Sequence, residues 1–91
     1  MVYEWDADKA TANLKRHRVA FDETATVFLD PLAMTYPDPD HSSGERRFIT
    51  IGESARGRVI LVAHLDRGDH VRIISARKAT RREAHEYKKA L

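Results

Sequence analysis

The sequence predicts a small α+β fold, in the order β-α-α, then an antiparallel meander sheet of three or four strands, then a C-terminal α-helix. Three observations predict it. At 91 residues with no cysteine, the chain has room for one domain, 1–91, and no disulfide or thiolate zinc site to reinforce it. Such a chain buries only roughly two-thirds of its unfolded surface, so a partner that covers apolar area is expected. Apolar residues recur at helical spacing in the first third of the chain. They then alternate at strand spacing between short turns, which imply antiparallel neighbours.

The first strand is Val2-Tyr3-Glu4-Trp5, short, aromatic and alternating. Asp6 suits the N-cap of a helix from Ala7 to about His17, with Ala10, Leu14 and His17 on its inner face. After the link Val19-Ala20-Phe21, Asp22 is a second N-cap, and Ala25, Phe28 and Leu29 form the apolar face that follows. Leu32 to Tyr36 resembles a strand, and the run from Pro37 to Gly44 is the clearest loop. Arg46 to Gly52 is a strand with Ile49 and Ile51 on one face and Phe48 and Thr50 on the other. Val59 to Ala63 is apolar on both faces, as a central strand is when helices cover both sides or a partner covers one. Arg67-Gly68-Asp69 is a hairpin turn and Val71 to Ala76 the last strand. Thr80-Arg81-Arg82-Glu83 is a capping box that opens the final helix.

Charge is divided unevenly along this order. Up to Asp66 there are 8 Lys/Arg against 11 Asp/Glu, and from Arg67 onward 8 against 3. Such a split suits either a polyanion partner or a solvated basic helix face. No signal-like N-terminus and no apolar run near the roughly 20 residues of a membrane span occur, so a cytoplasmic protein without membrane contact is expected. Phosphate-binding glycine loops, nucleophile elbows and metal-spaced His/Cys clusters are missing, and no cofactor is implied. Asp38, Asp40 and His41 fit a polar loop better than a metal site, because no other residues at ligand spacing accompany them.

Candidate chemistry lies between His64 and Tyr87. Strand alternation puts Val71, Ile73, Ser75 and Arg77 on one face and Arg72 with Ile74 on the other. An arginine at a strand end forks two hydrogen bonds onto a phosphate and stays charged. His64 ends the neighbouring strand, and an imidazole suits proton transfer near neutrality. RNA carries its own nucleophile in the 2′-hydroxyl. Plainer roles exist for each: His64 as a strand cap bonded to a carbonyl, Arg72 and Arg77 as cross-strand partners of Glu53, Asp66 or Glu45, Trp5 as core, His17 as a satisfied core histidine.

A wider pattern joins these pieces. Glu4-Trp5-Asp6 with Lys9, Asn13-Leu14-Lys15-Arg16-His17 with Val19 and Phe21, Glu45-Arg46-Arg47-Phe48, Ile51-Gly52, His64, Arg67-Gly68-Asp69 and the run Arg72 to Ala79 follow in order. Together they resemble the BrnT family, the toxin half of a bacterial type II toxin–antitoxin module, over about Tyr3 to Tyr87. The resemblance implies a RelE-like fold, an endoribonuclease that cleaves RNA without a metal, and neutralisation by a BrnA-like antitoxin. It further implies a hetero-oligomer that meets operator DNA only through that antitoxin. Arg18 stands where many members have the glycine that ends the first helix, a departure that would shift the turn rather than the chemistry. On this basis Arg72 and Arg77 are the expected phosphate ligands and His64 the general acid or base. Glu45, opening a strand beside the loop, is a candidate base. Arg47 adds positive potential, Ser75 orients an arginine or a phosphate, and Arg81 attracts RNA. Tyr87 and Lys88 close the site from the far side. The competing expectation is a non-catalytic module that grips an antitoxin and operator DNA.

Overall fold

A computed structural model describes residues 1–38 and 46–89 of the chain. The elements are β1 (Val2–Glu4), α1 (Ala7–His17), α2 (Phe21–Ala25) running into a 3-10 turn (Thr26–Leu29), β2 (Met34–Pro37), β3 (Arg47–Glu53), β4 (Val59–Arg67), β5 (His70–Lys78) and α3 (Arg81–Lys89). The strands form one mixed sheet in the order β1-β5-β4-β3-β2. The meander expected from the sequence is its antiparallel part, β2 to β5. The fifth strand corrects the expected count: β1 pairs in parallel with the first third of β5, Val2 opposite His70 and Glu4 opposite Arg72. A three-residue strand carries no local sign of a partner about seventy residues away. Among the described residues no helix is long and apolar enough to cross a membrane.

Local chemistry sets most element ends. Asp6 accepts hydrogen bonds from the N–H groups of Asp8 (2.8 Å) and Lys9 (3.0 Å), capping α1. Arg18 ends it in the left-handed region (φ 60°), its N–H donating to the Leu14 carbonyl. The turn is therefore the one a glycine would make, with no shift of the helix end. Helix α2 starts one residue before the expected cap, because Phe21 is buried in the core and Ala20 occupies the N-cap without a side-chain bond. Asp22 lies in its first turn. Gly68 takes φ 61° in the β4–β5 hairpin. The expected capping box is present: Thr80 N–H donates to Glu83 Oε1 (2.8 Å), and Glu83 N–H to Thr80 Oγ1 (3.1 Å).

One face of the sheet packs against α1, α2 and the 3-10 turn around Val19, Phe21, Val27, Ile60, Val62, Ile73 and Ala76. Trp5 joins the edge of this core, its ring meeting Phe21 edge-on at 5.9 Å. At Gly52 the 3-10 turn approaches so closely that a Cβ would stand 2.9 Å from Val27 Cγ1 and 3.0 Å from Ala33 Cβ. The inner stripe of α1 differs from the expected one. Leu14 is 48 % exposed, and the buried side chain is Asn13. Asn13 behaves as a surrogate strand on the open edge of β5. Its Nδ2 donates to the carbonyls of Ala76 (2.9 Å) and Val19 (3.0 Å), and its Oδ1 accepts from the Ala76 N–H (3.0 Å). A periodicity rule that scores only apolar residues passes over an asparagine that completes a sheet edge.

Candidate nucleic-acid interface

The sheet face turned away from the core carries the arginines. A register shift between Ala63 and His64 places Ser75 opposite Ala63 and Ile73 opposite His64, so Ile74 is an extra residue on β5. The bulge reverses the alternation along the strand. Val71, Ile73 and Ala76 are buried, whereas Ser75 and Arg77 turn to the opposite face. This corrects the expected single row, since a bulge inside a nine-residue strand leaves no mark in apolar spacing.

Pairing defines the open face row by row. Arg47, Leu65, Arg72 and Glu4 form one row, Tyr36, Ile49, Ala63 and Ser75 the next, and Met34, Ile51, Leu61 and Arg77 the third. With neighbouring strands about 4.8 Å apart, the backbones at Arg47 and Arg72 are about 10 Å apart across Leu65. The Arg72 side chain makes no hydrogen bond among the described residues, and it and Lys9 lend positive potential to Asp6. Arg47 holds its Nε buried without a hydrogen-bond partner, 3.8 Å from Asp38 Oδ2. Tyr36 is 45 % exposed on this open face. On the opposite face of β3, in the row of His64, the Arg46 guanidinium lies 5.7 Å from the centre of the Phe48 ring.

Arg77 is committed to a partner. Its Nη1 and Nη2 donate to the two carboxylate oxygens of Glu83 at 2.8 and 2.9 Å. That fork holds the Glu83 carboxyl down to about 2 and raises the Arg77 guanidinium further. The pair ties α3 to the end of β5, so the arginine expected to hold a phosphate also fixes an element.

His64 sits on the other face, apart from Arg72 and Arg77. It is 1 % exposed, packed edge-on against Phe28 at 4.9 Å and stacked near Phe48 at 6.0 Å. Its Nδ1 is 2.6 Å from Asp66 Oδ1 and its Nε2 is 2.7 Å from Thr50 Oγ1, which is itself 2.7 Å from Thr35 Oγ1. A carboxylate accepts only, so the neutral ring donates from Nδ1 and accepts at Nε2 from the Thr50 hydroxyl. Burial pushes the His64 imidazole below its ordinary value, and Asp66 pulls it partly back. His64 is thus a satisfied core histidine, the role the sequence offered for His17, and its partners are side chains rather than the backbone carbonyl expected of a strand cap. Tyr87 is buried too, at 4 % exposure, with its hydroxyl donating to Asp30 Oδ2. Burial first and Asp30 second push it up to about 12. It belongs to the seat of α3 rather than to an open surface. Arg81 and Lys88 are exposed on α3. Glu45, with Asp40 and His41 of the loop, lies outside the described residues. Among the described residues no three His, Asp or Glu side chains gather as a metal site requires.

Two grooves not anticipated from the sequence open beside this face. One, of about 470 Å³, runs between α1 and β5 past Lys9, Arg16, His17 and Ser75. The other, of about 270 Å³, lies on the sheet at His17, Ser75, Leu61 and Arg77. The signal was present in Lys9 and Arg16, which recur at i and i+7 on one helix stripe.

The comparisons with known proteins agree with this architecture. Residues 5–83 match the family model described as ribonuclease toxin, BrnT, of type II toxin–antitoxin system. Among solved structures, the 1.1 Å crystal structure of the Brucella abortus ribonuclease toxin, BrnT, superposes with a TM-score of 0.68 at 22 % identity. That match covers 89 % of this chain and 100 % of that one. Among curated proteins none matches the sequence. The small α+β domain, its mixed five-stranded sheet and the family match over 5–83 make this chain a member of the BrnT family of ribonuclease toxins of type II toxin–antitoxin systems.

Proposed function

We propose that this chain, as a single toxin domain over 1–91 with a RelE-like fold, is an endoribonuclease that cleaves RNA without a metal ion in the cytoplasm. A BrnA-like antitoxin holds it inactive in a hetero-oligomer, and operator DNA is reached only through that antitoxin. The observation that carries this proposal is the open sheet face, where Arg72 stands unbonded among the described residues in one row with Arg47. Two arginines whose backbones are about 10 Å apart across Leu65 carry side chains long enough to reach neighbouring backbone phosphates. Arg72 would stabilise the charge that builds on the phosphorane when the 2′-hydroxyl attacks, and Ser75 would orient it. Arg81 and Lys88 on α3 raise the local potential. Half-buried Ile49, Leu61 and Leu65 on the same face offer the antitoxin an apolar seat.

The second reading, a non-catalytic module that grips the antitoxin and operator DNA, is favoured by the burial of His64. One experiment separates the two. Purified protein incubated with total RNA in EDTA is expected to give discrete fragments, and Arg72→Ala to slow their appearance on the order of 100-fold. Intact RNA beside salt-sensitive binding would instead establish the binding module. Activity lost in chelator would overturn the metal-free chemistry.

A further inference from the structure

We infer that the RNA strand leaves the sheet face over the edge of β5 and enters the groove on α1, and that His17, where the two grooves meet, takes the proton from the attacking 2′-hydroxyl. This rests on the ribonuclease activity proposed above and adds to it a second set of residues, Lys9, Arg16 and His17.

The path follows from the sheet edge. Strand β1 covers β5 only from His70 to Arg72. Beyond that, Asn13 closes the edge at Ala76 alone. The stretch between, Ile74 and Ser75, faces the α1 groove, and the bulge at Ile74 turns Ser75 onto the open face as well. The groove on α1 and the groove on the sheet therefore share two residues, Ser75 and His17. A strand following both passes from Arg77 and Leu61 on the sheet to Lys9 and Arg16 on the helix by way of Ser75 and His17. Two cations beside an apolar strip at Ile74 match the alternation of phosphate and base along a single strand. Lys9 and Arg16 make no side-chain hydrogen bond among the described residues, and the nearby Asp6 carboxylate is already occupied by the N–H groups that start α1. The His17 ring is half-buried and likewise carries no hydrogen bond among the described residues, unlike His64, whose two nitrogens are both engaged. It is the histidine that reaches both grooves.

The step balances without a further reactant. His17 accepts the 2′-hydroxyl proton while the O2′–P bond forms, the P–O5′ bond breaks, and the departing 5′-oxygen takes a proton from water. The products are a 2′,3′-cyclic phosphate and a 5′-hydroxyl end.

The test uses the full chain with a labelled single-stranded RNA for cleavage and its 2′-O-methyl analogue, which cannot react, for binding. His17→Gln is expected to slow cleavage of bound RNA on the order of 100-fold or more while affinity for the analogue changes less than threefold. Added imidazole should restore part of the rate in His17→Ala, which a purely structural role would not allow. The double variant Lys9→Ala/Arg16→Ala is expected to weaken binding and to lower the salt slope by about 1.4, near 0.7 for each phosphate contact on a single strand. Lys15→Ala on the same helix serves as the control with unchanged activity. Wild-type cleavage matched by His17→Gln, or an unchanged salt slope in the double variant, overturns this inference and leaves the ribonuclease intact. Wild-type protein that leaves RNA uncut overturns both. If the double variant loses affinity for polyglutamate but not for RNA, the groove takes an acidic peptide and the inference falls.

Discussion

Arg18 holds the left-handed conformation at the end of α1 with its N–H on Leu14 and its carbonyl accepting from Arg58 Nη2 at 3.1 Å. An L-residue with a Cβ pays roughly 1–2 kcal/mol for that conformation, partly offset in glycine by its freer unfolded chain. Arg18→Gly is therefore expected to stabilise the fold by about 1 kcal/mol, read as a higher urea midpoint at unchanged slope. A lower midpoint would mean that the arginine side chain contributes more than the backbone costs. Asn13 presents the opposite case, because three buried hydrogen bonds converge on one amide. Asn13→Ala leaves the Ala76 N–H and C=O without their partner and is expected to cost about 2–3 kcal/mol. A loss under 0.5 kcal/mol in the same titration would show that water replaces the amide. At this scale the caps at Asp6 and Thr80 were legible from local sequence, because a cap and its partners lie within three residues. The role of Asn13 was not, since its partner is 63 residues away.

The elements depend on a few ties between distant segments. Helix α3 is held by the Arg77–Glu83 fork and by Tyr87 on Asp30, which also accepts from the Glu53 N–H at 2.8 Å. Tyr87→Phe keeps the ring and removes one charge-assisted bond, so a loss of about 1.5–3 kcal/mol is expected. The same change should leave the affinity of folded protein for RNA within twofold. A selective loss of RNA affinity at full stability would return Tyr87 to the binding surface. Helix α2 and the β3–β4 turn are joined in the same manner by Glu23, which takes Arg58 through both oxygens and the Ser54 hydroxyl at 2.7 Å. The bulge at Ile74 matters most for function, since it moves Ser75 and Arg77 onto the face of Arg47 and Arg72.

Across the whole molecule, titration of these ties sets the dependence of stability on pH. Arg58 holds Glu23 below its ordinary value, Arg77 holds Glu83 down to about 2, and burial holds His64 down. Each folded value lies below the unfolded one, so each group binds its proton more readily in the unfolded chain. Their stabilisation is complete above the unfolded values and is lost as pH falls. Tyr87 has the opposite sign: its hydroxyl is held up to about 12, so its contribution is present below the unfolded value of 10.0 and fades as pH rises. Urea titrations should therefore show a plateau from about pH 7 to 9, a mild decline below about pH 6.5 as His64 charges in the unfolded chain, and a steeper one between pH 4.5 and about 2. Stability that rises on acidification below pH 6 would contradict these assignments.

The sequence by itself determined the element types, the antiparallel meander, the helix caps at Asp6 and Thr80, the basic second half and the ordered motifs that resemble BrnT. All of these are written in neighbouring residues or in their order along the chain. Tertiary structure alone decided that Arg77 is tied to Glu83 while the Arg72 side chain makes no hydrogen bond among the described residues, that His64 and Tyr87 are buried, that β1 joins the sheet in parallel, and that His17 lines both grooves. The physical reason is one of range. Caps, turns and periodicity act over a few residues, whereas a bulge, a sheet edge and a salt-bridge fork depend on which strand lies alongside.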